Sequence, residues 1–173
     1  MGRVMANSME IRAETPGDIA TIRAVTVAAF ANAPFSNQRE AAIVDALRRA
    51  GALSLSFVAT EEAEVVGHVA FSAVLINGRT GDWYGLGPVS VRPDRQRQGV
   101  GQRLIARGLG ELRSHGAEGC VVFGEPAYYG RFGFVSDLDL CYAGAPPGYF
   151  QRLAFKGTSP RGEVRYHAAF RPT

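Results

Sequence analysis

The chain has 173 residues, 46% hydrophobic and 20% charged, with a formal net charge of +3. That balance describes one ordinary globular domain able to bury a core without disulfides or a metal, and it excludes a disordered or fibrous chain. No apolar stretch approaches the length that spans a bilayer, and Cys120 and Cys141, with no CxxC pair and no signal peptide, read as reduced thiols of a cytoplasmic protein.

Residues 1–8 carry no long hydrophobic region and read as a flexible N-terminus, leaving 9–173 as a single domain. Residues 10–13 predict a short strand. Thr15 as N-cap, Pro16 at the first helical position and Asp18 in the first turn then start a helix that runs to about Ala31. After Pro34, the run Asn37-Gln38-Arg39-Glu40 has the form of a capping box for a second helix, with Ile43, Val44 and Leu47 as its apolar stripe and Gly51 as its stop. Residues 53–60 and 65–76 read as strands around a polar turn, and Asn77-Gly78 is a hairpin signal leading into a third antiparallel strand, 83–91. Gly87-Pro88 inside that strand marks a bulge or splay, since proline cannot donate to a ladder.

Gln96-Arg97-Gln98-Gly99-Val100-Gly101 lies between this strand and a helix reaching about His115. A helix start leaves backbone N–H groups without intrahelical acceptors, glycines let a ligand approach them, and the macrodipole adds partial positive charge. The turn therefore reads either as an anion site or as a strand-to-helix turn that needed two small residues. It is no P-loop, because Gln102-Arg103 stands where Lys-Ser/Thr is required, and no dinucleotide fingerprint, because Arg97 holds the place of the first glycine. Val100, Leu104, Ile105, Gly108, Leu109 and Leu112 share the helix's apolar face. Residues 119–123 read as a buried parallel strand, with Cys120 a small buried hydrophobe. A short helix from Pro126 carries Tyr128 and Tyr129, residues 146–148 form a loop, and strands near 138–142 and 164–170 close the sheet. Three scattered histidines and two distant cysteines make no metal site.

Read as Gln-x-x-Gly-x-Gly after Leu86-Gly87-Pro88-Val89-Ser90-Val91, the glycine turn resembles the acetyl-CoA-binding core of the GNAT N-acetyltransferase superfamily. Gly124-Glu125-Pro126-Ala127-Tyr128-Tyr129-Gly130-Arg131-Phe132-Gly133-Phe134 resembles that superfamily's Tyr-x-x-x-Gly-Phe segment. The paired tyrosines, Gly67-His68-Val69-Ala70-Phe71-Ser72 and the closing Gly162-Glu163-Val164-Arg165-Tyr166-His167 are most similar to the YhbS-like branch. The resemblance implies an α/β (α+β) domain: a mixed, mostly antiparallel sheet of about six to seven strands flanked by helices, splayed between the fourth and fifth. It implies acetyl-CoA as acyl donor, a primary amine as acceptor and direct attack in a ternary complex. The first two helices and their loop would form one wall of the acceptor site.

Main-chain contacts to pantetheine would come from Val89, Ser90 and Val91, with Val89 and its neighbours polarising the thioester. Gln96, Arg97, Gln98, Gly99, Val100, Gly101 and Gln102 would hold the pyrophosphate, in a local excess of arginines at 92, 95, 97 and 103. Tyr129 matches the position whose phenol protonates the leaving sulfur, and tyrosine's reference pKa near 10 is close to that of an alkyl thiol. Tyr128 reads as a core aromatic. Residues 86–91 hold no carboxylate to serve as base; Glu125 and His68 are the candidates, against plainer readings as a helix-start acid and a hydrogen-bonded strand histidine. The alternative function is a non-catalytic acyl-CoA-binding sensor or partner-docking module. No nucleic-acid motif and no Gly-x-Ser-x-Gly elbow occurs, so neither a nucleic-acid partner nor a hydrolase is expected. A small polyamine, an antibiotic, an amino acid or a peptide amine all fit as acceptor, and the state of the family's members leaves a homodimer open.

Overall fold

Residues 8–34 and 36–171 are described in the computed structural model, so the expected flexible segment lies, apart from Ser8, outside the described residues. β1 (Met9–Ala13), β2 (Leu55–Glu61), β3 (Glu64–Ile76) and β4 (Arg79–Val91) pair antiparallel in that order. Both hairpin turns place their two central residues at positive φ: Glu62 and Ala63 in one, Asn77 and Gly78 in the other. That is the turn whose twist matches the flanking strands. Between β1 and β2 come α1 (Ile19–Phe30) and α2 (Glu40–Arg49). The expected start at Thr15 and Pro16 is present as a 3-10 turn, Pro16–Asp18, that runs into α1, with the Asp18 carboxylate accepting from the Thr15 N–H at 2.7 Å. Arg12 holds the same carboxylate at 2.7 and 3.0 Å, which keeps Asp18 well below the usual carboxylate range.

The start of α2 differs from expectation. Gln38 adopts φ +63, and Asn37 Oδ1 accepts from the Arg39 N–H at 3.1 Å, so Arg39 takes the N-cap position and the box from Asn37 does not form. Glu40 instead accepts from the Ser36 hydroxyl.

α3 (Val100–Ser114) buries the face read from its sequence. It lies over the sheet against Phe71, with Leu104 and Ile105 fully enclosed. Each such side chain contributes about 1.5–3 kcal/mol of burial. Gly108 permits the close approach, since a Cβ there would lie 2.1 Å from the Phe71 ring. α1 and α2 cover the opposite face through Ile22, Val25 and Val44 on Val58 and Val65.

β5 (Gly119–Phe123) runs parallel to β4, and Cys120 is fully buried. Beyond α4 (Pro126–Tyr129) the chain departs from expectation. The segment near 138–142 forms only the two-residue β6 (Leu140–Cys141). β7 (Phe150–Ala154), unforeseen, pairs antiparallel along the whole of β5. The last expected strand is β8 (Gly162–Arg165), followed by a single turn at Ala168–Phe170; it joins the end of β3 and pairs β6. The result is an α/β domain with sheet order β1-β2-β3-β4-β5-β7, and eight strands among the described residues against the six to seven expected. Among those residues no helix is long and apolar enough to cross a membrane.

Candidate active site

β4 and β5 pair only at Trp83–Gly119, Tyr84–Cys120 and Gly85–Val121, and beyond Gly85 they diverge. The cause lies in β4. Val69 of β3 faces Val89 whereas Phe71 faces Leu86, so Ala70 opposes both Gly87 and Pro88 in a bulge, with Gly87 at φ +134. The ladder then fixes which amides face the gap. The Arg92 N–H donates to the Val66 carbonyl at 2.8 Å. Antiparallel pairs alternate, so Ser90 and His68 form the next hydrogen-bonded pair, and the N–H groups of Val89 and Val91 point away from β3 into the gap. Ser90 serves the other face, its buried hydroxyl donating to Thr26 Oγ1 at 3.2 Å. Of the three residues expected to offer main-chain contacts, the register turns two toward the gap.

A cavity of about 360 Å³ opens at the bulge. Leu86, Gly87, Pro88 and Val89 form its floor, α1 and α2 contribute Phe30, Glu40 and Ile43, and Tyr129 stands on the far side. Tyr129's ring lies over Gly124, where a Cβ would meet it at 2.4 Å. Phe134 braces it edge-on at 6.0 Å between centroids. Burial pushes the phenol well above its ordinary pKa, so it keeps its proton. The tail supplies Tyr142, Tyr166 and Phe170. Tyr166's hydroxyl is buried without a hydrogen-bond partner among the described residues.

The two candidate bases lie elsewhere. Glu125 is exposed at the N-cap of α4, its carboxylate accepting from the Ala127 N–H at 3.5 Å, and lines neither this cavity nor the one beside the glycine turn. His68 is fully buried on β3, Nε2 2.7 Å from Ser56 Oγ and Nδ1 without a partner among the described residues. Burial, helped by the charge of Arg48, lowers its pKa to about 3. Below pH 6.5 the unfolded chain takes up a proton that the folded chain refuses, so stability present above pH 6.5 is lost as pH falls toward 3. The expected slope is up to about 1.4 kcal/mol per pH unit. Urea midpoints between about pH 5.5 and pH 7, above the carboxylate range, check it; an unchanged slope in His68→Gln would exclude His68 as the source.

A second cavity, of about 290 Å³, surrounds the glycine turn. Gln96, Arg97, Gly99, Val100, Gly101 and Gln102 line it; Gln98 does not, its Nε2 reaching the Asp94 carbonyl at 3.4 Å. Gly99 sits at φ +82, and the first backbone bond into α3 runs from the Arg103 N–H to the Gly99 carbonyl at 3.1 Å. Among the described residues the amides of 98–102 have no backbone acceptor. The arginine excess is smaller than the sequence implies: Arg92 is paired with Asp94 and Glu64, and Arg95 with Glu61 and Asp94. Arg97 lines the cavity without an ion pair among the described residues, and Arg131 closes it, stacked 4.6 Å from the Tyr128 ring. Tyr128, read from sequence as core, belongs to this wall. Adjacent residues on a helix point in different directions, and the pair Tyr128-Tyr129 divides between the two cavities.

Residues 10–136 match the family model described as an acetyltransferase (GNAT) domain. The chain belongs to the GNAT acetyltransferase family. It is 39% identical over 169 residues to an Escherichia coli K12 protein named as an uncharacterized N-acetyltransferase, YhbS, covering 94% of this chain and 98% of that one. A GNAT family acetyltransferase from Brucella melitensis, solved in complex with acetyl-CoA, superposes with a TM-score of 0.87 and 53% identity, covering 96% of this chain and 100% of the other. The E. coli YhbS structure, in complex with CoA, superposes with a TM-score of 0.84 and 33% identity over 98% of this chain and 96% of its own. The GNAT family's splayed sheet is thus the architecture of this chain.

Proposed function

We propose that the protein transfers the acetyl group of acetyl-CoA to a primary amine by direct attack in a ternary complex. The observation that carries this reading is the gap beyond Gly85, with the Val89 and Val91 amides turned into it, flanked by an amide-lined turn and a protonated tyrosine. Acetyl-CoA and CoA occur in two similar structures, and the features here fit such a ligand: glycines where side chains would fill the cradle, and donors without acceptors. Bound acetyl-CoA supplies an acyl thioester. The amides of 98–102, with Arg97 and Arg131, receive its pyrophosphate. The Val89 and Val91 N–H groups hold the pantetheine arm, and Val89 polarises the thioester carbonyl. The neutral amine attacks the carbonyl carbon and the C–S bond breaks; Tyr129 gives its proton to the departing sulfur, and the proton the amine releases as the amide forms restores the phenol.

His68 is left out of the proton path because it is buried away from both cavities, and Glu125 because it caps α4. We place the protein in the cytoplasm, in keeping with two free thiols. The test is incubation with acetyl-CoA and a broad panel of amines, read by mass spectrometry of products and by thiol release. Acetyl-CoA binding with no acetylated product from any amine would favour the sensor reading instead.

A further inference from the structure

Among the described residues, the wall of the cavity at the β4 bulge carries one charged side chain, Glu40. Among the described residues Glu40 has a hydrogen bond from Ser36 and no ion pair, whereas Asp45, Glu14 and Glu61 are each matched to an arginine. Around it stand aromatic rings, among them Phe30, Tyr142, Tyr166 and Phe170. Among the described residues no arginine, lysine or histidine lines the space. The adjacent Arg39 is turned to the tail, its Nη2 donating to the Arg171 carbonyl at 3.0 Å.

This wall discriminates by charge. A primary ammonium finds a carboxylate without an ion-pair partner and ring faces that attract cations. A carboxylate finds no donor of positive charge and is repelled by Glu40, while losing its hydration. Size narrows the choice further. Leu86 to Val89 border the same space of about 360 Å³, so the end of the pantetheine arm shares it with the acceptor.

On the reading of this cavity as the acceptor site, we infer that the acceptor is a small primary amine with an aromatic or apolar body and no carboxylate beside the amine. Glu40 holds its ammonium and the rings enclose its body. Such a compound is the decarboxylated counterpart of a hydrophobic amino acid, and a decarboxylation is the class of reaction that supplies it. Glu40 is a recognition residue in this account.

The experiment is calorimetric titration of 2-phenylethylamine and L-phenylalanine into the protein, with and without saturating CoA. The amine should bind at least about tenfold more tightly than the amino acid, the scale of one hydrogen bond to a charged group. Glu40→Gln should weaken amine binding about tenfold, erase most of the preference and leave CoA affinity within about twofold. Equal or tighter binding of L-phenylalanine, no binding of the amine under either condition, or an unchanged affinity in Glu40→Gln would overturn the inference. Acetyl transfer is scored separately. Amine binding that never leads to acetylation counts against the transferase reading alone, whereas efficient acetylation of L-phenylalanine counts against this inference alone.

Discussion

Tyr129→Phe should lower turnover about 10²- to 10⁴-fold while leaving acetyl-CoA affinity within about twofold. The phenyl ring keeps every packing contact: it still fits over Gly124 and still meets Phe134 edge-on. What is lost is one proton donor. Burial holds that donor in its protonated form, so it is present at neutral pH whenever sulfur departs. Without it the sulfur leaves as a bare thiolate in a partly dry cavity, where an unpaired charge is costly. The measurement is free-thiol release under saturating amine, with acetyl-CoA affinity taken from thermal shifts. Turnover within threefold of the parent (about 0.65 kcal/mol of barrier) would remove Tyr129 from the chemistry.

Gly101→Leu should weaken acetyl-CoA binding at least about 100-fold, because it fills the turn cavity with the side chain that glycine omits. A Cβ at position 101 already comes within 3.2 Å of the Tyr128 hydroxyl and 3.6 Å of Val91. The three further carbons of leucine must extend into the space of about 290 Å³ that the turn lines. Leucine favours a helix over glycine by up to about 1 kcal/mol, so the ligand-free protein should unfold near its original temperature. The discriminating readout is the stabilisation by ligand, about 2.7 kcal/mol at 100 times the parent Kd, which should fall to about 0.4 kcal/mol or less in Gly101→Leu. A retained shift would place the pyrophosphate elsewhere.

Much of the donor side was legible in the sequence because local rules govern it. A strand, two glycines and a helix start predict free amides at 98–102, and Gly87-Pro88 predicts the break in β4. Which amides face the gap was not legible, since that depends on the register of β4 against β3. The wall proposed to receive the acceptor was hidden for a different reason. Glu40 has the sequence position of a capping acid, and only the positive φ of Gln38 frees it from that duty. Tyr142, Tyr166 and Phe170 come from a tail whose strands are two to five residues long and take their form from partners far away in the chain. β7 illustrates this: Phe-Gln-Arg-Leu-Ala has no clean alternation, yet it pairs along all of β5.

The bulge at Gly87-Pro88 also bears on how the protein meets its ligand. A parallel sheet ordinarily zips to its end, and the Val89 and Val91 amides would then be satisfied within the fold. Here the chain folds with an internal edge left open beyond the bulge in β4, while β7 occupies β5's other side. No strand would have to be displaced to admit a donor at the proposed site, so binding there would lose nothing to an opening equilibrium. An extended molecule bearing amides of its own, as a pantetheine arm does, would lie in the gap as a surrogate strand. The sheet would then be completed from outside the chain.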